Sequence, residues 1–131
     1  MLNIDPSTRV FLCPQLTDMR FSFDALSGLV TTHFGMNPLG GHVFVFFSRR
    51  RDRMKILIWD MDGFVLYYKR LEHGTYSWIL DLALDANGEI QASDLSLILA
   101  GITPFPVVSK RSKKDSKSSS KQPAVPPLLL V

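Results

Sequence analysis

The apolar positions of this chain follow two rhythms, and each switch between them marks an element. Residues 9–13, Arg-Val-Phe-Leu-Cys, form a short apolar run that reads as a strand and is stopped by Pro14. Further on the spacing changes. Phe23, Leu26, Val30 and Phe34 recur at helical intervals, which predicts a helix over 23–34 with one apolar stripe. Ser22 and Asp18 are the candidates for its cap, and Gly35 is its stop. A loop containing Asn37-Pro38 and Gly40-Gly41 follows. Three strand-like runs come next, at 42–47, 54–59 and 64–69. Residues 48–53 make a polar, arginine-rich loop between the first two, and Asp62-Gly63 is a hairpin signal between the last two.

That hairpin fixes a parity, because directly opposed residues share a face. Pairing across the turn places Lys55, Leu57 and Trp59 on one face with Phe64, Leu66, Tyr68 and Arg70. Ile56, Ile58, Val65, Tyr67 and Lys69 take the other. Both faces are apolar near the turn and basic at the far end. The first helix is expected to cover one face, leaving the other for a second layer or a partner. After Arg70 the rhythm weakens. Residues 72–75 read as a turn, 78–84 fit strand or helix equally, and 85–88 read as another turn. Ser93 then caps a predicted short helix over 94–100, ended by Gly101. The expectation is an α+β fold: a small antiparallel sheet, one longer helix packed on it and a short C-terminal helix.

Charge changes the picture at the C-terminal end. Residues 1–108 hold 9 Lys+Arg against 11 Asp+Glu, a balance of −2; residues 109–131 hold 6 against 1, a balance of +5. The pI near 9.2 therefore describes the tail. Residues 1–108 are read as one folded domain and 109–131 as a basic tail, with the Ser-, Lys- and Pro-rich stretch 109–127 disordered. Cys13 is the sole cysteine, so no internal disulfide forms, and its apolar neighbours mark it as a small core residue. No run approaches the roughly 20 apolar residues of a membrane span, and residues 1–9 lack the pattern of a secretory signal. A soluble protein of the cytoplasm is expected.

The residues suggest three chemistries. An apolar strand ending in Asp60-Met61-Asp62-Gly63 resembles the first motif of haloacid-dehalogenase-type phosphatases, in which paired carboxylates attack phosphorus and hold magnesium. Against this, a new strand begins at once at Phe64, where that chemistry needs an α/β crossover; the competing reading is a hairpin turn with two solvated carboxylates. His33, His42 and His73 have no ligand-like spacing with Cys13 or with each other, so no metal and no cofactor are expected. The loop from Arg49 to Lys55 is more informative, with five basic residues and one acid. Arginine forks match phosphate oxygens in pairs. Arg49, Arg50, Arg51, Arg53 and Lys55, with Lys69 and Arg70 of the third run, are the candidate nucleic-acid-binding set. Interleaved aromatics, Trp59, Tyr67, Tyr68, Tyr76 and Trp78, beside a basic loop suit nucleic-acid binding, but core packing is the favoured reading of them. A solvated loop is the competing reading of the arginines. Lys110, Arg111, Lys113, Lys114, Lys117 and Lys121 of the tail have the same two readings, phosphate contact or solubility.

The ordered pieces resemble one known family. They are Arg9-Val10-Phe11-Leu12, Thr17-Asp18-Met19-Arg20 with Phe23-Asp24-Ala25-Leu26, Gly41-His42-Val43-Phe44-Val45-Phe46, Arg49 through Leu57, Trp59 through Phe64, Tyr67 through Glu72, and Leu95 through Gly101. In this order they resemble the TnpB (Orf-2-like) accessory proteins of insertion-sequence-66 transposition, over roughly residues 8–103. Residues 79–89 fit loosely, and the tail from Ser109 lies outside the resemblance. It implies a bacterial protein accessory to DNA transposition, encoded beside a separate transposase of the same element and not itself catalytic; DNA, through phosphate contacts of the arginine loop, is the other expected partner. No three-carboxylate set for two-metal strand cleavage is visible. DNA binding through the arginine loop and docking of the transposase through the sheet surface remain open as mechanisms, with a small phosphatase-like enzyme as the alternative of another class.

Overall fold

A computed structural model describes residues 4–13, 15–81 and 88–103, with side-chain environments withheld for Leu80 and Asp81. Residues 82–87 and the tail, where the 85–88 turn in large part and the expected disorder fall, lie outside the described residues. The strands are β1 (Val10–Leu12), β2 (Val43–Phe47), β3 (Arg53–Asp60), β4 (Gly63–Arg70) and β5 (Glu89–Ile90). They form one sheet in the order β4-β3-β2-β1-β5. Two helices accompany it: α1 (Phe23–Leu29), continued by a wider π-helical stretch (Val30–Phe34), and α2 (Ala92–Leu99). A 3-10 turn spans Ser77–Asp81.

The expected α+β fold is present, with one difference in the sheet. β1 and β2 run parallel, with Val10 opposite Val43 and Leu12 opposite Val45; the other pairs are antiparallel. A parallel pair needs a long crossover, and α1 supplies it. β2 is central, so its Val-Phe-Val-Phe-Phe run is buried on both faces. Its five side chains contribute roughly 1.5–3 kcal/mol each by leaving water. β4 is the edge, and its residues remain partly or wholly exposed. The hairpin register follows the parity argument: Trp59 faces Phe64, Leu57 faces Leu66, Lys55 faces Tyr68 and Arg53 faces Arg70. The turn itself differs. Its positive φ falls on Met61 (φ 56), and Gly63 is the first residue of β4.

Both faces of the sheet are covered. On the first, Phe11, Phe44, Phe46 and Leu57 pack with Leu26 and Val30 of the first helix. Phe23 of the predicted stripe is instead exposed. The π-helical widening falls on Val30-Thr31-Thr32, three β-branched residues that resist tight helical rotamers. Thr32 Oγ1 also donates to the Gly28 carbonyl at 2.9 Å, competing with the backbone ladder. Gly35, in the left-handed region at φ 63, ends the helix. Cys13 is buried in this layer, and desolvation raises its thiol pKa.

On the second face, Val10, Val43, Val45, Ile56 and Met54 pack with Ile79 and with Leu95, Ile98 and Leu99 of α2. This is the second layer that the apolar residues of that face required. α2 begins at Ala92, with Gln91 as its cap in place of Ser93, because the Asp94 carboxylate accepts from the Gln91 N–H at 3.2 Å in a reciprocal box. β5 is an element the chain pattern did not announce. Gly88, just before it, has φ 71, and its carbonyl accepts from the Leu12 N–H at 2.8 Å.

Candidate nucleic-acid interface

The β2–β3 loop is short and ordered by its own polar groups. Ser48 is buried; its Oγ donates to Asp52 at 3.2 Å and accepts from the Arg53 N–H at 3.1 Å. Its carbonyl accepts from the Arg51 N–H at 2.9 Å. These bonds fold residues 49–52 into a tight turn with Arg51 in the left-handed region at φ 60. Consecutive arginines therefore diverge. Arg49 and Arg50 are exposed, while Arg51 turns inward until its Nε is enclosed without a partner. The Arg51 carbonyl accepts from the Tyr76 N–H and ties the loop to the segment after β4.

A second segment meets this loop. Beyond β1 the chain keeps pairing with β2, the Cys13 N–H donating to Val45 and the Thr17 N–H to Phe47, both at 2.8 Å. It thus reaches the loop end of the sheet just where Asp18, Met19 and Arg20 begin. Together the two segments line an open cleft of about 470 Å³, with Arg20, Arg49, Arg50 and Arg53 against Asp18 and Asp52. Asp18 is tied to Arg20, with Oδ2 at 2.6 Å from Nη2, and these hydrogen bonds hold its pKa down at about 2. Arg53 also lines a second cleft of about 390 Å³ with Tyr68, Arg70 and Glu72. Arg53 and Arg70 stand directly opposite across β3 and β4, a like-charge pair that is unfavourable by itself. Arg70 is relieved by Glu72 at 2.9 Å, and Arg53 donates to the Tyr68 hydroxyl at 3.2 Å.

Of the predicted set, Arg49, Arg50, Arg53 and Arg70 thus come together along one margin of the sheet. Lys55 and Lys69 are engaged elsewhere. Lys55 is only 6% exposed; its Nζ donates to the carbonyls of Met19 at 2.7 Å and Phe21 at 2.6 Å and lies 4.7 Å from the Tyr68 ring centroid. Three ammonium protons thus meet three acceptors, and the two carbonyls flank Arg20. Lys55 positions the cleft from beneath. Lys69 Nζ donates to the Leu99 carbonyl at 3.0 Å, at the C-terminal end of α2, where a cation is favoured. Arg20 was absent from the predicted set. Only the pairing beyond β1, a contact distant in sequence, brings it to the loop.

The aromatics divide likewise. Tyr76 is buried against Phe47 and Trp78, its hydroxyl without a partner and its pKa raised by burial. Trp59 packs edge-on to Phe64. Tyr68, at 49%, is the most exposed of the five. Asp60 and Asp62 sit exposed on the β3–β4 hairpin, and β3 is antiparallel to both neighbours, unlike the central parallel strand that phosphatase chemistry requires. Among the described residues no group of three His, Cys, Asp or Glu is placed to hold a metal, and no helix is long and apolar enough to cross a membrane.

Comparison with known proteins places this chain in a family. The family described as IS66 Orf2 like protein matches residues 8–108. The chain belongs to that family. Membership ties it to the transposition of insertion sequences, the process the ordered motifs pointed to. Among curated relatives it is similar to uncharacterized protein y4hO of Sinorhizobium fredii (strain NGR234), 34% identical over 102 residues, which cover 78% of this chain and 87% of the relative. It is also similar to uncharacterized protein y4jC of the same organism, 29% identical over 117 residues, covering 89% of this chain and 98% of the relative. No solved structure matches. The family match includes all four arginines of the first cleft and ends before the basic tail.

Proposed function

We propose that this chain serves insertion-sequence transposition as an accessory DNA-binding protein without catalytic activity of its own, acting beside the transposase of the same element in the bacterial cytoplasm. The observation that carries this reading is the convergence of Arg20, Arg49, Arg50 and Arg53 on one open cleft, four guanidinium groups against two carboxylates. Arg49 and Arg50 make no side-chain hydrogen bond among the described residues that would occupy them. Guanidinium forks free in this way suit phosphate oxygens, and such contacts fix position without reading sequence. The layers over β1, β2 and most of β3 leave bare sheet surface only along β4 among the described residues, which weighs against docking the transposase through a broad sheet surface. Strand cleavage itself is left to the transposase.

A salt titration tests the reading. Each phosphate contact on duplex DNA adds roughly −0.9 to the slope of log affinity against log salt. Arg49→Ala/Arg50→Ala is expected to lower affinity on every sequence and to flatten the slope by about 2. Superimposable curves for parent and variant would remove the cleft from the mechanism. Truncation after residue 108 tests whether the basic tail adds contacts of its own.

A further inference from the structure

Tyr68 has features that neither core packing nor phosphate binding uses. It is exposed at 49%, on the margin that carries the arginines. Its ring is nevertheless held at two points. Arg53 Nη1 donates to its hydroxyl at 3.2 Å, and the Lys55 ammonium lies 4.7 Å from the centroid on one face. That ammonium is buried, so the ring acts as its lid while about half of Tyr68 remains open to solvent. Arginine-lined clefts adjoin it: Tyr68 itself lines the second, and Arg53 is shared by both. A fixed aromatic face beside phosphate-binding groups is the arrangement that accepts an unpaired base, since every base has a π-face and the ring loses little freedom on stacking. Duplex DNA keeps its base faces stacked internally and has nothing to offer such a ring.

We propose that Tyr68 is a stacking platform for an unpaired base, and that this chain grips single-stranded DNA through Tyr68 with the phosphates on either side held in the arginine clefts. The proposal rests on the DNA-binding reading and narrows its substrate to DNA with unpaired bases, such as arises when strands are cut or opened.

The test compares a fluorescein-labelled oligothymidine with a duplex of equal length, by anisotropy at low salt, on the full chain. Tyr68→Leu is expected to weaken single-strand binding about fivefold or more beyond any loss on the duplex, the scale of one stacked base. Tyr68→Phe, which keeps the ring, is expected to bind like the parent. Equal losses on both DNAs, or none on either, would overturn the platform. If Arg49→Ala/Arg50→Ala weakens both DNAs while Tyr68→Leu weakens neither, the platform fails and the cleft stands. A parent that binds neither DNA refutes the cleft and the platform with it. Because Tyr68 also covers Lys55, a second measurement uses the unaltered protein: a strand carrying iodouracil is irradiated in the complex and the cross-linked residue is mapped. Attachment at Tyr68 is expected, and attachment only at other residues would overturn the proposal.

Discussion

Replacing Lys55 with Met probes the link between the core and the arginine cleft. The methionine keeps the length of the side chain and removes two short hydrogen bonds, 2.7 Å to the Met19 carbonyl and 2.6 Å to that of Phe21. Hydrogen bonds from a charged donor contribute about 1.5–3 kcal/mol each, so the gross loss is about 3–6 kcal/mol. Part is returned, because an ammonium no longer has to be kept from water. A net destabilisation of about 3 kcal/mol is expected, a fall in Tm of roughly 12–24 °C for a domain of this size. Urea unfolding measures it directly, with the m-value unchanged if the native fold is kept. The segment carrying Arg20 also loses its anchor, so the variant is expected to bind DNA with a salt slope flatter by about 1, one phosphate contact. A Lys55→Met protein that melts within about 2 °C of the parent with an unaltered slope would refute the positioning role.

Three further outcomes follow from the geometry. An added Cβ at Gly88 would stand 2.1 Å from the Leu12 carbonyl oxygen at a residue with φ 71, so Gly88→Ala should cost more than about 2 kcal/mol through clash and strain together, read as a lower urea midpoint. Leu26 of the first helix is fully buried against the sheet, and Leu26→Ala is expected to cost roughly 2–5 kcal/mol on the same assay. Asp18 should titrate near 2 by carboxyl-carbon NMR and return towards its ordinary 3.8 in Arg20→Ala; since its folded pKa is depressed, its contribution to stability is complete above about pH 4 and is lost as the pH falls through 2.

Local signals in the chain account for much of this fold. The opposed residues of β3 and β4 were placed by the period of two alone, because a hairpin with a short turn has only one register that keeps both faces consistent. The apolar run at 42–47 marked a strand, and the structure buries it on both sides as β2. The first helix was legible from Leu26 and Val30, but its π-helical widening was not, since rotamer crowding at Val30-Thr31-Thr32 leaves the apolar spacing unchanged. The parallel pairing of β1 with β2, the two-residue β5 and the arrival of Arg20 at the loop depend on contacts distant in sequence, which no local period encodes. The same limit applied to the lysines. Lys55 and Arg53 have equal charge and lie two residues apart, yet a pair of backbone carbonyls belonging to residues 19 and 21 draws Lys55 inside.

The cleft as the DNA contact is tested most directly by NMR. Arginine Nε–Hε and backbone amide signals would be followed while DNA is added at low salt. The account predicts that the largest shifts fall on Arg20, Arg49, Arg50 and Arg53, extend to Tyr68 and Arg70, and spare α2 on the opposite face of the sheet. Largest shifts on α2, or on the β1–β5 margin where Arg9 pairs with Glu89 at 2.9 Å, would contradict it.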